Sequence, residues 1–158
     1  MTMDQRRDPA EQLHGTWKMR SWRVEDLATG QRSDALGAAP RGYISYTPDG
    51  RVLVVVTAGD RARPAELVPS PQEKVGLYDS LFAYGGTFNF DGAKVTHHID
   101  ISWNEAWCGT HQVRFAQLDG DTLTYVSAPA RNPMTGNDCQ HTVVLDRVQG
   151  LPAGSSPP

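Results

Sequence analysis

Residues 42–57 hold the feature that most narrows the fold. Gly42–Thr47 (GYISYT) and Arg51–Thr57 (RVLVVVT) are β-rich runs separated only by Pro48-Asp49-Gly50. A Pro-Asp-Gly reversal of that length joins antiparallel strands, because no crossover element fits between them. The device recurs. Asp91-Gly92 separates Thr87–Phe90 from Lys94–Ser102, and Asp119-Gly120-Asp121 separates Thr110–Leu118 from Thr122–Ser127. With Gly15–Asp26 near the start and Gln140–Val148 near the end, about eight strands are expected, mostly joined by tight turns. That pattern predicts an all-β antiparallel fold, either a closed barrel or a sandwich. The run Val52–Val56 is apolar at every position, which predicts cover on both of its faces.

Two segments interrupt the strands. Asp8-Pro9-Ala10-Glu11-Gln12-Leu13 predicts one short helical turn, with Asp8 as cap and Pro9 at the first position. Ser70-Pro71-Gln72-Glu73 has the pattern of a capping box, and Val75, Tyr78, Leu81 and Phe82 then form one apolar stripe that ends at Gly85-Gly86. Residues 27–40 and 128–138, rich in small residues, Pro and Asn, read as loops.

A chain of 158 residues favours one domain and buries enough surface to need neither metal nor disulfide. The reading is a polar extension over 1–12, a folded domain over 13–149 and a flexible tail over 150–158. Net charge is −3, and no stretch gathers Lys and Arg apart from Asp and Glu, so no nucleic-acid partner is expected. The polar N-terminus MTMDQRRDPAEQ lacks the apolar core of a secretory leader, and no apolar run reaches the length of a membrane span. A cytoplasmic location, no membrane partner and two free thiols, Cys108 and Cys139, are the matching expectations.

Chemistry concentrates in His97–Phe115 (HHIDISWNEAWCGTHQVRF). Alternation along Lys94–Ser102 puts Val95, His97, Ile99 and Ile101 on one face, so His97 points into the core; His98 and Asp100, two apart on the other face, are placed to hydrogen-bond. His97 is then either a general acid or base in a pocket or an interior histidine with its nitrogens satisfied. On Thr110–Leu118, Gln112 and Arg114 share a face. If that face is inward, Arg114 can hold a carboxylate, enolate or polarised carbonyl; if outward, it is an ordinary surface ion pair. Trp103 and Trp107 flank the turn between these strands, where aromatic rings wall a flat ligand or close a barrel end. Glu105 between them adds a carboxylate at the rim. Trp17 and Trp22 fall on opposite faces of the first strand, with Trp17 in the core. Tyr46 and Tyr125 carry hydroxyls that can donate to a ligand oxygen if they face inward. Cys108, His111, Cys139 and His141 are ligand-type residues without the spacing of a standard zinc site, so no metal is expected. No Gly-x-Ser-x-Gly elbow and no phosphate-binding glycine loop occur.

Several phrases together resemble a known family: Leu13-His14-Gly15-Thr16-Trp17, Gly42–Arg51 (GYISYTPDGR), Ala83–Phe88 (AYGGTF), Val95–His98 (VTHH) and Trp107–Arg114 (WCGTHQVR). In this order they resemble the bacterial and fungal lipocalin-like domain family, itself distantly similar to calycins and allene oxide cyclase. The chain departs from the family's usual Pro-Asn-Trp phrase with Asn104-Glu105-Ala106-Trp107. The resemblance implies a closed antiparallel lipocalin-like β-barrel of about eight strands with one short helix, enclosing a cavity. The match at Gln112-Val113-Arg114 favours the inward reading of Arg114.

The resemblance also implies a link to secondary metabolism, where some relatives look like isomerases or cyclases. The expected function is therefore enclosure of a small hydrophobic or polyketide-like molecule, with cofactor-independent isomerase or cyclase chemistry. His97 is the expected acid or base, Arg114 the electrostatic group and Glu105 a second acid or base. Trp103, Trp107, Gln112, Tyr46 and Tyr125 are the expected ligand contacts. A non-catalytic carrier or sensor is the alternative, and a homodimer stays open.

Overall fold

The computed structural model describes residues 7–132 and 135–150; the tail from 151 and the first six residues of the N-terminal extension lie outside the described residues. Ten strands are present among them: β1 (Gly15–Asp26), β2 (Arg32–Asp34), β3 (Arg41–Tyr46), β4 (Arg51–Thr57), β5 (Leu81–Phe90), β6 (Lys94–Ser102), β7 (His111–Asp119), β8 (Thr122–Ser127), β9 (Ala130–Arg131) and β10 (Asp138–Arg147). Eight of them pair antiparallel in the order β1-β3-β4-β5-β6-β7-β8-β10, and β1 pairs back onto β10 from Trp17↔Arg147 to Asp26↔Cys139. The sheet is thus a closed eight-stranded barrel. The short β2 and β9 extend β1 and β10 at the rim.

Closure sorts the connections into two ends. The tight turns between β3 and β4, β5 and β6, and β7 and β8 lie at one end, with the 3-10 turn Pro9–Gln12, which Asp8 caps as its sequence predicts. The long connections 27–40, 58–80 and 103–110, and the described parts of the β8–β10 connection, 128–132 and 135–137, lie at the other and frame an opening. The closed end is filled. Leu13, Trp17, Leu123, Leu145 and Val95 are completely buried, and the Trp17 indole N–H donates to the Leu13 carbonyl at 2.9 Å.

The helix α1 (Pro71–Asp79) has the expected capping box between Ser70 and Glu73, but it is shorter than its apolar stripe predicts. Leu81 and Phe82 belong to β5, which starts before the glycine pair rather than after it, while Val75 and Tyr78 are exposed. Gly85-Gly86 does not stop a helix; it marks a β-bulge against β6. A Cβ on Gly86 would stand 1.8 Å from the His98 carbonyl oxygen, so only glycine lets these strands approach. Gly86→Ala is expected to cost about 1–3 kcal/mol, read as a lowered thermal midpoint; an unchanged midpoint would contradict this close approach.

That bulge corrects one facing. Gly85 pairs with Ile101 and Gly86 with Ile99, leaving Asp100 as the extra residue. Ile101 therefore turns outward and is 65% exposed, while Val95, His97 and Ile99 stay inside. Asp100 pairs with Arg51 rather than with His98, and His98 instead meets His111 and Asn89 on the barrel exterior. A second irregularity, between Met19 and Ser21, shifts the phase of β1, so Trp22 joins Trp17 and Met19 inside the barrel instead of facing away. The expectation for Val52–Val56 is half met: Val52, Val54 and Val56 are buried, whereas Leu53 and Val55 are 59% and 54% exposed. Barrel curvature leaves β4 covered on its inner face only.

Candidate functional site: a funnel ending in a tyrosine–histidine cluster

The open end leads inward through a funnel. Its outer part, about 540 Å³, is lined by Trp22, Phe82, Trp103 and Trp107 with Gln112, Arg114 and His141 among its polar groups. The inner part is a cavity of about 40 Å³ reached past Trp22, Phe82, Arg114 and His141, which line both. At its base stand Tyr84, His97 and Tyr125, among Met19, Ile44, Val54, Val56 and Val143. The inner cavity has room for roughly three waters or the head group of a ligand. A whole ligand of several rings needs the outer part as well.

The mouth is aromatic because three connected segments each deliver rings to it. Phe82 from the start of β5 is in ring contact with Trp22 at 5.1 Å, Trp103 at 4.7 Å and Trp107 at 5.0 Å between centroids. Trp107, on the 3-10 turn Glu105–Trp107, stacks on Tyr84 at 6.1 Å. Such a wall accepts a flat apolar body.

Arg114 sits at the throat. Alternation on β7 turns Gln112 and Arg114 inward, with His111 and Phe115 outward and Val113 exposed at the lip of the funnel. The guanidinium donates to the Gln112 side-chain oxygen at 3.3 Å and to the Val113 carbonyl at 3.0 Å, and no carboxylate among the described residues pairs with it. Nearby, the Trp22 indole N–H donates to His141 Nδ1 at 3.0 Å, which fixes the His141 proton on Nε2. Burial, and then the Arg114 charge, hold His141 below its usual pKa.

His97 is 2% exposed and uses both ring nitrogens. Nδ1 lies 2.5 Å from the Tyr84 hydroxyl and Nε2 lies 2.7 Å from the Tyr46 hydroxyl, which in turn bonds the Tyr125 hydroxyl. Burial, reinforced by the Arg114 charge, lowers the His97 pKa to about 3, so the ring is neutral at pH 7. Burial likewise pushes the Tyr46, Tyr84 and Tyr125 phenols up, and all three stay protonated.

The structure therefore brings His97, Arg114, Gln112, Trp103, Trp107 and Tyr125 to one funnel. Two expected residues fall elsewhere. Tyr46 stands behind His97, outside the cavity lining, and its hydroxyl meets protein groups only. Glu105 is exposed and lines neither part of the funnel, because its 3-10 turn carries the carboxylate outward, beside Cys108. Burial and that carboxylate raise the Cys108 thiol. Cys108 and Cys139 are free thiols, and no set of three or more His, Cys, Asp or Glu side chains among the described residues could hold a metal. No helix among them is long and apolar enough to cross a membrane.

Sequence reasoning misses Tyr84, Phe82, Trp22 and His141. A signal for Tyr84 exists: counting back in twos from the apolar Phe90 and Phe88, through Gly86, reaches Tyr84 on the same inward face.

The profile of the lipocalin-like domain matches residues 14–148, nearly the whole barrel, and the chain belongs to that family. No curated protein matches the chain.

Proposed function

We propose that this lipocalin-like barrel binds a small, largely apolar and flat molecule, polyketide-like in character, and acts on it as a cofactor-independent isomerase or cyclase. The observation that carries the reading is the Arg114 guanidinium, which pairs with no carboxylate among the described residues and is set between an aromatic mouth and a buried cluster of proton-bearing groups. A cation without a carboxylate partner in a half-buried throat favours a ligand with a carboxylate, enolate or polarised carbonyl at that depth. The rings of Trp103, Trp107 and Phe82 would take the apolar body outside it. Enclosure and orientation at the throat, with a fixed positive charge beside developing negative charge, are the means of catalysis in this reading.

A second reading, a carrier or sensor that binds without turnover, is favoured by one observation. Both His97 nitrogens are already occupied by tyrosines, so His97 has no free nitrogen to offer a ligand directly.

Tryptophan fluorescence tests the binding common to both readings. With 2-naphthoate as probe, Arg114→Gln is expected to weaken binding about 10- to 100-fold, the range for a charge-assisted hydrogen bond, and to leave binding of 2-methylnaphthalene, which has no acceptor, unchanged. Equal loss for both probes, or none for either, would overturn the role of Arg114.

A further inference from the structure

We propose that Tyr84, His97, Tyr46 and Tyr125 form a proton relay whose two ends open on the same cavity, so that the protein moves a proton between two atoms of one bound, enolisable carbonyl compound. This deepens the binding reading above and rests on it for the substrate. It differs from direct acid–base action by His97, whose nitrogens face tyrosines and not the ligand.

Three phenols and one neutral imidazole hold four exchangeable protons, and the four groups are joined by three hydrogen bonds: Tyr84 to His97 Nδ1, His97 Nε2 to Tyr46, and Tyr46 to Tyr125. Three protons fill those bonds and one is left for an end. With the ring proton on Nδ1, Nδ1–H donates to the Tyr84 oxygen, Tyr46 donates to Nε2 and Tyr125 donates to Tyr46. The Tyr84 hydroxyl proton then points to the cavity, and the Tyr125 oxygen is left as an acceptor. With the proton on Nε2 every bond reverses: Tyr125 offers the proton and Tyr84 the lone pair. Both arrangements satisfy every internal group. Tyr84 and Tyr125 line the cavity, whereas Tyr46 does not.

One turnover converts the first arrangement into the second. The substrate takes the Tyr84 hydroxyl proton at one atom. The Nδ1 proton passes to Tyr84, the Tyr46 proton to Nε2 and the Tyr125 proton to Tyr46, while the Tyr125 oxygen takes a proton from a second substrate atom. For an enol going to its ketone, a C–H bond forms, an O–H bond breaks and the double bond moves from C=C to C=O. Nothing is oxidised or reduced and no charge is left on the chain. After product leaves, water in the cavity carries the proton from Tyr125 back to Tyr84. The raised phenol pKa values and the low pKa of His97 fit a chain in which no member rests as an ion.

Two measurements test this. The first needs no ligand: nitrogen-15 NMR of the His97 ring at pH 7. Tyr84→Phe removes the partner of Nδ1 and is expected to hold the proton on Nε2; Tyr46→Phe removes the partner of Nε2 and is expected to hold it on Nδ1. The same tautomer in both variants, or a protonated ring, overturns the relay. The second uses the enol of phenylpyruvate, which offers a ring to the mouth, a carboxylate to Arg114 and a transferable proton. The wild type should speed decay of the enol absorbance. Tyr46→Phe, which changes no group in the cavity lining, should slow kcat about 100-fold, the lower range for proton-transfer catalysis, with KM and fluorescence-detected binding unchanged. If Tyr46→Phe does not fold, Tyr125→Phe, which does alter the cavity lining, is read by its kcat loss alone, with no expectation of unchanged KM. Binding without acceleration by the wild type, or full activity in both variants, overturns the relay. Absence of phenylpyruvate binding counts against the binding reading, and the tautomer result alone then decides the relay.

Discussion

Below about pH 6.5 the protein is expected to lose stability at about 1.4 kcal/mol per pH unit through His97 alone. The folded pKa of His97 is about 3, against an ordinary value of 6.5. Between those values the unfolded chain carries a proton on this ring and the folded chain does not. Stability therefore rises with pH across that window, is fully present above 6.5 and is lost on acidification, by about 5 kcal/mol in all at pH 3. That is of the order of the whole stability of many domains. The cause is local. Burial disfavours the charged ring, and the neighbouring Arg114 and then His98 add repulsion. His97→Gln removes the titration while keeping one donor and one acceptor. Urea unfolding of both proteins at pH 7 and pH 4.5 isolates the effect. The fall in stability between those pH values should be about 2.7 kcal/mol smaller in the variant. Asp26, Glu73, Asp91 and Asp146, whose hydrogen bonds lower their pKa values, also withdraw stability at acid pH. They do so in both proteins and cancel in the comparison. Parallel pH profiles would mean that the buried ring accepts a proton in the folded state.

Much of the barrel is legible in the sequence because turns are local chemistry. Pro48-Asp49-Gly50, Asp91-Gly92 and Asp119-Gly120-Asp121 each end one strand and start the next where their residues require it, and β1 and β6 keep the bounds that alternation gives them. The capping box at Ser70 is equally local. What escapes is phase. A bulge inserts one residue, and because the side-chain period is two, everything beyond it changes face. Trp22 beyond the Met19/Ser21 irregularity and Ile101 beyond Asp100 are both misplaced for that reason. The site divides along the same line. The inward direction of His97 follows from short-range alternation; that of Arg114 does not, because neither face of its strand is cleanly apolar, and only the family phrase Gln112-Val113-Arg114 points inward. The contact of His97 with Tyr46, Tyr84 and Tyr125 depends on which strands face one another across a closed barrel. Tyr46 lies on β3 and His97 on β6, with two strands between them in the sheet, so they meet only through the interior. No local spacing encodes that meeting.

Closure itself makes the second large prediction. Trp17→Ala is expected to cost about 3–5 kcal/mol, enough to consume much of the stability of a domain this size. The indole is completely buried at the narrow end and its N–H satisfies the Leu13 carbonyl. The Arg147 guanidinium lies over the ring, 4.2 Å from its centroid, and donates to the His14 and Gln12 carbonyls at 3.0 and 2.9 Å. Truncation to Ala would leave a void, an unmet carbonyl and an arginine with nothing to lie against, at the point where β1 meets β10. Trp17→Phe keeps a ring under Arg147 and loses the N–H, so about 1–3 kcal/mol of the loss should remain. Urea unfolding measures both. The same variants separate stability from function, because Trp17 lies at the end of the barrel opposite the aromatic mouth. A folded Trp17→Phe protein should bind 2-naphthoate with the wild-type Kd. Weakened binding in that variant would show that the closed end shapes the funnel, and that the division between a sealed base and a working mouth is wrong.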